Sequence, residues 1–139
     1  MSSLVTTLSG YLGYRGREGH WSFLLHRITG LGTGLFLTVH ILDTSFVYFA
    51  PGLYMEAIKI YQSTLAGFGE IALAFCVFYH GVNGLRIAYF DMFAPKNWSI
   101  PSERKTFWWT LGISLTFWIP AAGIMFINLL KNNYGLFGG

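Results

Sequence analysis

The sequence predicts an all-α integral membrane protein with three transmembrane helices. Of its 139 residues, 53% are hydrophobic and only 11% are charged, a composition unsuited to a soluble globule. Three apolar segments, at about residues 24–49, 65–90 and 107–130, are each long enough to cross the ~30 Å hydrocarbon layer at ~1.5 Å of rise per residue. The whole chain, residues 1–139, is therefore expected to form a single membrane domain.

The chain begins with an arm that is expected to lie in the cytoplasm. This arm covers residues 1–22, carries the basic cluster Tyr14–Arg17, and ends near Trp21, an aromatic residue typical of the membrane interface. The apolar spacing of Leu53–Tyr61 indicates a short interfacial helix, and Ser102 is the expected N-cap of the third transmembrane helix. The transmembrane helices are predicted over residues 23–50, 65–91 and 106–130.

The lysine and arginine residues predict the orientation. Seven of the nine fall on one side of the predicted membrane, and because positive charge accumulates in cytoplasmic loops, this side is assigned to the cytoplasm. The N-terminus is then cytoplasmic and the C-terminus outside, in a multi-pass protein of the cytoplasmic membrane. The excess of basic over acidic residues is interpreted as a signal of membrane topology, and no nucleic-acid partner is expected. The seven are Arg15, Arg17, Arg27, Arg86, Lys96, Arg104 and Lys105; the other two are Lys59 and Lys131.

Two histidines, His40 and His80, lie inside predicted transmembrane segments. A buried imidazole needs a metal or a hydrogen-bond partner, which for His40 would be Asp43, Thr44 or a backbone carbonyl. No Asp or Glu lies within one turn of His80, and Cys76 is expected to pack as a small apolar side chain, so a zinc or di-iron site is disfavoured there. One imidazole per helix, with cations at the rim, favours bis-histidine haem b.

The two histidines are expected to lie at different depths. His40 follows Arg27 by 13 residues, about 20 Å along a helix, whereas His80 precedes Arg86 by 6 residues, about 9 Å. Axial ligands of one haem are nearly level, so the two histidines are predicted to serve different haems. Because the third helix contains no histidine, the opposite ligands must come from a partner chain.

Glycines accompany both histidines. Gly30 and Gly34 are four residues apart on one face of the first helix, and Gly84 follows His80 by one turn. A helix face without side chains admits a flat ligand or a neighbouring helix, so these glycines are expected to make room for a porphyrin.

Two motifs resemble those of a known family. The family patterns S-x-x-H-R-x-[ST]-G and H-x-x-x-G-[aliphatic]-R-x-x-x-x-D belong to the cytochrome b membrane anchor, of the C type, of succinate dehydrogenase and fumarate reductase. The resemblance covers residues 21–91 in motif and the whole chain in topology. The matching segments here are Trp21-Ser22 with His26-Arg27-Ile28-Thr29-Gly30, and His80-Gly81-Val82-Asn83-Gly84-Leu85-Arg86 continuing to Asp91.

This resemblance implies a subunit of succinate:quinone oxidoreductase, an enzyme of the tricarboxylic acid cycle, with no activity from this chain alone. Electrons would pass from a flavoprotein subunit through an iron–sulfur subunit to a quinone, either menaquinone or ubiquinone. A second membrane-anchor subunit, of the D type, and membrane lipid would be the other partners. A haem-free structural and quinone-binding anchor and an independent b-type membrane cytochrome are the alternatives.

The resemblance also implies roles in haem binding. His80 would ligate the iron of a proximal haem b and His40 that of a distal one, as in family members with two stacked haems. His26 and Arg86 would contact the haem propionates.

A quinone site is expected at the cytoplasmic rim. There the resemblance implies that Arg27 polarises a quinone carbonyl, with Trp21 and Ser22 lining the pocket. The family's quinone-contacting serine stands where this chain has Phe23, so Ser22 is turned by about 100° around the helix from that position.

Overall fold

The computed structural model describes residues 5–7, 9–10, 18–97 and 99–135. In these ranges the regular structure is helical throughout, and three helices are long and apolar enough to span a membrane. The predicted all-α class with three transmembrane helices is therefore confirmed. The helices are α1 (Glu18–Phe49), α2 (Pro51–Tyr61), α3 (Thr64–Phe93) and α4 (Ile100–Tyr134), with a short 3₁₀ turn at Pro95–Asn97 before α4.

The long helices extend beyond the predicted apolar segments. α1 begins at Glu18, five residues before the predicted start, and an acidic side chain in the first turn complements the helix dipole. α4 begins at Ile100, and Pro101 lies in its first turn, where a proline is tolerated because no backbone N–H is needed there. The prediction of Ser102 as its N-cap is wrong, since Ser99 occupies that position. The predicted cluster Tyr14–Arg17 lies outside the described residues.

The predicted short helix after the first transmembrane helix is present and corresponds to α2. It begins at Pro51, two residues before the predicted start, with this proline in its first turn. α2 packs on α1 and α3, and it forms the connection between them.

α3 is the central helix of the bundle and packs against both α1 and α4. Small polar side chains fill much of the interior, as is usual where transmembrane helices approach closely. At the α3–α4 contact, Trp118 Nε1 donates a hydrogen bond of 2.9 Å to the carbonyl oxygen of Ile71. Most large apolar side chains point outward, which leaves surface for lipid or for a partner subunit.

Candidate functional site

The imidazole rings of His26 on α1 and His80 on α3 are stacked. Their centroids are 4.2 Å apart and their planes differ by 7°. Nδ1 of His80 also lies 3.2 Å from the backbone carbonyl oxygen of His26, which accepts a hydrogen bond when the proton is on Nδ1. In that tautomer Nε2 of His80 keeps its lone pair. Metal-ligating histidines commonly have this arrangement, in which a backbone carbonyl fixes the second nitrogen.

Gly30 makes room for the imidazole of His80. A Cβ atom on Gly30 would lie 2.8 Å from Cε1 and 3.1 Å from Nδ1 of His80, closer than real Cβ contacts allow. Gly84 faces the other ring at an ordinary distance, 3.8 Å from a Cβ position to Cε1 of His26. Around Gly34 the described part of the chain leaves open space within 4 Å of such a Cβ. Of the three predicted glycines, Gly34 therefore offers the most room to a flat ligand.

A buried polar cluster joins α1 to α3 beside the stacked histidines, with Ser22 one turn before His26 on α1 and Asn83 about one turn after His80 on α3. Ser22 is 3% exposed, and Asn83 is fully buried. Nη2 of Arg86 donates a hydrogen bond of 2.9 Å to Oγ of Ser22, and this hydroxyl lies 3.3 Å from Oδ1 of Asn83, to which it donates. Tyr79, one turn before Asn83 on α3, is also fully buried.

Tyr79 and Asn83 were not among the predicted site residues. Asn83 lies inside the second motif, three residues after His80, so its position in the motif could have identified it as a site residue. Tyr79 adjoins that motif but had no signal of its own in the sequence.

Several buried polar atoms of this region have no hydrogen-bond partner among the residues that the structure describes. All of them are donors or can act as donors, and leaving such atoms unpaired in an interior is costly. An acceptor-rich group, such as a carboxylate, fits this set because it would satisfy several donors at once. The atoms are His26 Nδ1, Tyr79 OH, Asn83 Nδ2, and Arg86 Nε and Nη1.

Arg27 and Trp21 lie at the same end of α1 but on its exposed side. The guanidinium carbon of Arg27 is 4.6 Å from the centroid of the Phe23 ring, a cation–π contact. Trp21 is 55% exposed and lines an open groove of about 1320 Å³ between the first turns of α1 and α4. An ion pair of 2.9 Å between Glu18 and Arg104 joins the two helices beside this groove. Ser22 was predicted to line the quinone site together with Arg27 and Trp21. It differs from both because its side chain is buried.

His40 lies far from this cluster. It follows Gly30 by ten residues, about 15 Å along α1, whereas Gly30 is in contact with His80. The His40 ring is exposed and stacks on Phe36, with centroids 5.5 Å apart. It lines a partly open cavity of about 540 Å³ between α1, α2 and α3.

Within the described ranges, the imidazole of His40 makes no hydrogen bond. Asp43, one of the expected partners, accepts a hydrogen bond from the hydroxyl of Tyr61 instead. Thr44 donates to the backbone carbonyl of His40, not to its ring. The imidazole nitrogens are thus available to a ligand in the cavity, which Asp43 and Glu70 also line.

Metal sites formed by protein side chains alone need several ligands. No group of three or more His, Cys, Asp and Glu side chains within the described ranges is arranged to hold a metal ion. A haem needs one axial ligand from each side, so one histidine per haem from this chain is sufficient when a partner supplies the other.

The fold and the site define a three-helix membrane subunit with a polar α1–α3 contact. Residues 11–121 match the family described as succinate dehydrogenase/fumarate reductase transmembrane subunit, and the chain belongs to that family. It is 30% identical over 120 residues to succinate dehydrogenase 2 membrane subunit SdhC of Mycobacterium tuberculosis, a match that covers 86% of this chain and 85% of the relative. The chain is therefore a multi-pass membrane subunit of this enzyme complex, as the motifs predicted.

Proposed function

We propose that this chain is a haem b-binding membrane anchor through which a succinate:quinone oxidoreductase passes electrons from its iron–sulfur subunit to quinone. The observation that carries the proposal is the arrangement of His80. Its Nδ1 lies 3.2 Å from the carbonyl oxygen of His26, its ring is stacked on the ring of His26, and in the tautomer with the proton on Nδ1 its Nε2 is free to ligate. When bound, the haem supplies one-electron transfer.

His80 would hold the iron of a proximal haem and His40 that of a distal haem, both shared with a second membrane-anchor subunit. The separation of about 15 Å along α1 supports two haems in this proposal, because side chains that far apart cannot both ligate one iron. Gly34 would lie against a porphyrin, since the space around it is open. Gly30 and Gly84 would instead make room for the histidines, because each faces an imidazole ring.

Arg86 and His26 would bind the haem propionates. Arg86 brings two unpartnered nitrogens and His26 one, all buried, and a propionate is the kind of anionic acceptor that these donors lack. The positive guanidinium would also offset the cost of placing a carboxylate within the membrane.

Arg27 and Trp21 would form part of the quinone site. Both are exposed at the end of the bundle where α1 and α4 begin. A quinone gains negative charge on its carbonyl oxygens during reduction, so a guanidinium beside one carbonyl stabilises that charge. This chemistry is common to ubiquinone and menaquinone. With the predicted orientation, this end faces the cytoplasm, where the iron–sulfur and flavoprotein subunits would dock.

The ratio of haem to flavin in the intact complex, purified through a tag on this chain, tests the proposal. Two haems per flavin are expected, with the α band of b-type haem in the dithionite-reduced spectrum. One haem would restrict the proposal to His80. No haem would leave a structural and quinone-binding anchor, and purification without flavoprotein and iron–sulfur subunits would indicate an independent cytochrome.

A further inference from the structure

We propose that Ser22 is a positioning residue that holds the guanidinium of Arg86 in place beside the proximal haem, and that it does not bind the quinone. This inference rests on the proposed function, because it assigns Arg86 to a haem propionate. It assigns Ser22 to the side of α1 that faces Asn83 and Arg86 on α3, opposite to the side of Arg27.

The hydrogen bonds of Ser22 leave it without a proton to donate to a quinone carbonyl. A serine hydroxyl has one hydrogen and two lone pairs. The hydrogen is donated to Oδ1 of Asn83, and one lone pair accepts from Nη2 of Arg86. Donation to a quinone would therefore break the bond to Asn83, whose carbonyl oxygen would remain buried and unpaired.

Burial separates Ser22 from the exposed side of α1. Ser22 is 3% exposed, whereas the neighbouring Phe23 is 46% exposed and lies under the guanidinium of Arg27. Adjacent residues of a helix differ by about 100° in direction. The side of α1 that carries Phe23 and Arg27 is open to a ligand, and the side that carries Ser22 is closed by α3.

Ser22 and Asn83 together fix the position of Arg86. Asn83 precedes Arg86 by three residues, so both side chains lie on the same face of α3. The hydroxyl of Ser22 reaches across from α1 and bonds to both. Without this hydroxyl, Arg86 would lose its hydrogen bond to α1, and its side chain would be free to change rotamer.

The position of Arg86 has an electrostatic consequence for the haem. A positive charge nearby favours the reduced iron, which carries one positive charge fewer than the oxidised iron, and this effect is strong where the dielectric constant is low. Moving the guanidinium away from the haem therefore lowers the midpoint potential of that haem.

The experiment compares five variants in the intact complex: Ser22→Ala, Ser22→Thr, Arg86→Gln, the double variant of Ser22→Ala with Arg86→Gln, and Ser114→Ala. Ser114 is a matched control, because it is a fully buried serine whose hydroxyl bonds only to the backbone of Thr110 in its own helix. Redox titration of the proximal haem and the KM for quinone are measured for each.

Ser22→Ala is expected to lower the midpoint potential, by less than Arg86→Gln does, while the KM for quinone stays within about twofold of the wild-type value. In the double variant the potential is expected to equal that of Arg86→Gln alone, since Ser22 acts through Arg86. Ser22→Thr, which keeps a hydroxyl, restores the potential. Ser114→Ala leaves it unchanged.

A large rise in the KM for quinone with an unchanged midpoint potential in Ser22→Ala would overturn the inference and place Ser22 in the quinone site. An additional shift in the double variant would also overturn it. If the complex with Arg86→Gln fails to assemble, the comparison of Ser22→Ala with Ser114→Ala still tests the inference. Only Ser22→Ala should then shift the midpoint potential of the proximal haem. Failure of the proposed function is recognised separately, because the wild-type complex would then contain no haem.

Discussion

His26 contacts His80 in two ways: its imidazole stacks on the His80 ring at 4.2 Å, and its backbone carbonyl lies 3.2 Å from Nδ1 of that ring. One residue of α1 thus packs against the plane of an imidazole on α3 and also offers a hydrogen-bond acceptor to its Nδ1. The position of His80 consequently depends on how α1 and α3 are aligned along the membrane normal. A shift of either helix by one turn, about 5.4 Å, would remove both contacts.

Gly30→Ala is expected to displace His80 and to release the proximal haem. The added methyl group would lie 2.8 Å from Cε1 of the imidazole, so the ring must move away from the carbonyl of His26. The haem-to-flavin ratio should fall by about one. Gly123→Ala on α4 is the matched control, because nothing in the described structure lies within 4 Å of its Cβ position. Full haem content in Gly30→Ala would show that the ring tolerates displacement.

His80→Ala and His40→Ala are expected to lose different haems. The histidines are separated by about 15 Å along α1, because Gly30 marks the level of His80 and His40 follows it by ten residues. Each variant should keep the haem that the other loses, with a different midpoint potential in redox titration. Loss of the same haem from both variants would contradict two separate sites.

The class of fold was predictable from the sequence, but the ends of its helices were not. Hydrophobic length alone indicates a transmembrane span, and the described structure has three helices long and apolar enough to span a membrane. A helix continues into the polar interface as long as its backbone hydrogen bonds are satisfied, so α1 begins at Glu18 and α4 at Ile100, outside the apolar segments. Hydropathy gives no information about those additional turns.

The polar contact between α1 and α3 depends on the rotation of two helices, which a single sequence does not provide. Ser22 and Phe23 are adjacent, and only the packed structure shows that the first faces α3 and the second is exposed. The same rotation buries Tyr79 and Asn83. The spacing of the motifs identified His80 and Arg86. The hydrogen bond from Arg86 to Ser22 could be identified only from the structure.

Arg27→Ala is expected to impair quinone reduction without loss of haem. Its guanidinium lies over Phe23 on the exposed side of α1 and, among the residues that the structure describes, makes no buried hydrogen bond that would stabilise the fold. The kcat/KM for quinone should fall about tenfold, which corresponds to about 1.4 kcal/mol of lost transition-state stabilisation. Steady-state kinetics with a soluble quinone analogue measure the effect.

Lys59→Ala is the control for Arg27→Ala, because Lys59 is an exposed cation on α2, at the other end of the bundle. Its quinone kinetics should match those of the wild type. An equal loss in both variants would indicate a general effect of net charge, and unchanged kinetics in Arg27→Ala would exclude Arg27 from the quinone site.

Trp118→Phe is expected to weaken the α3–α4 contact and to leave both haems bound. The indole Nε1 of Trp118 donates to the carbonyl oxygen of Ile71, and phenylalanine keeps an aromatic ring but has no donor. Hydrogen bonds between transmembrane helices contribute about 0.6 kcal/mol on average and up to about 1.7 kcal/mol. The loss should appear as a lower thermal midpoint of the purified complex. Trp109→Phe, at a residue that is 64% exposed, should leave that midpoint unchanged. Equal midpoints for the two variants would show that the indole hydrogen bond does not stabilise the bundle.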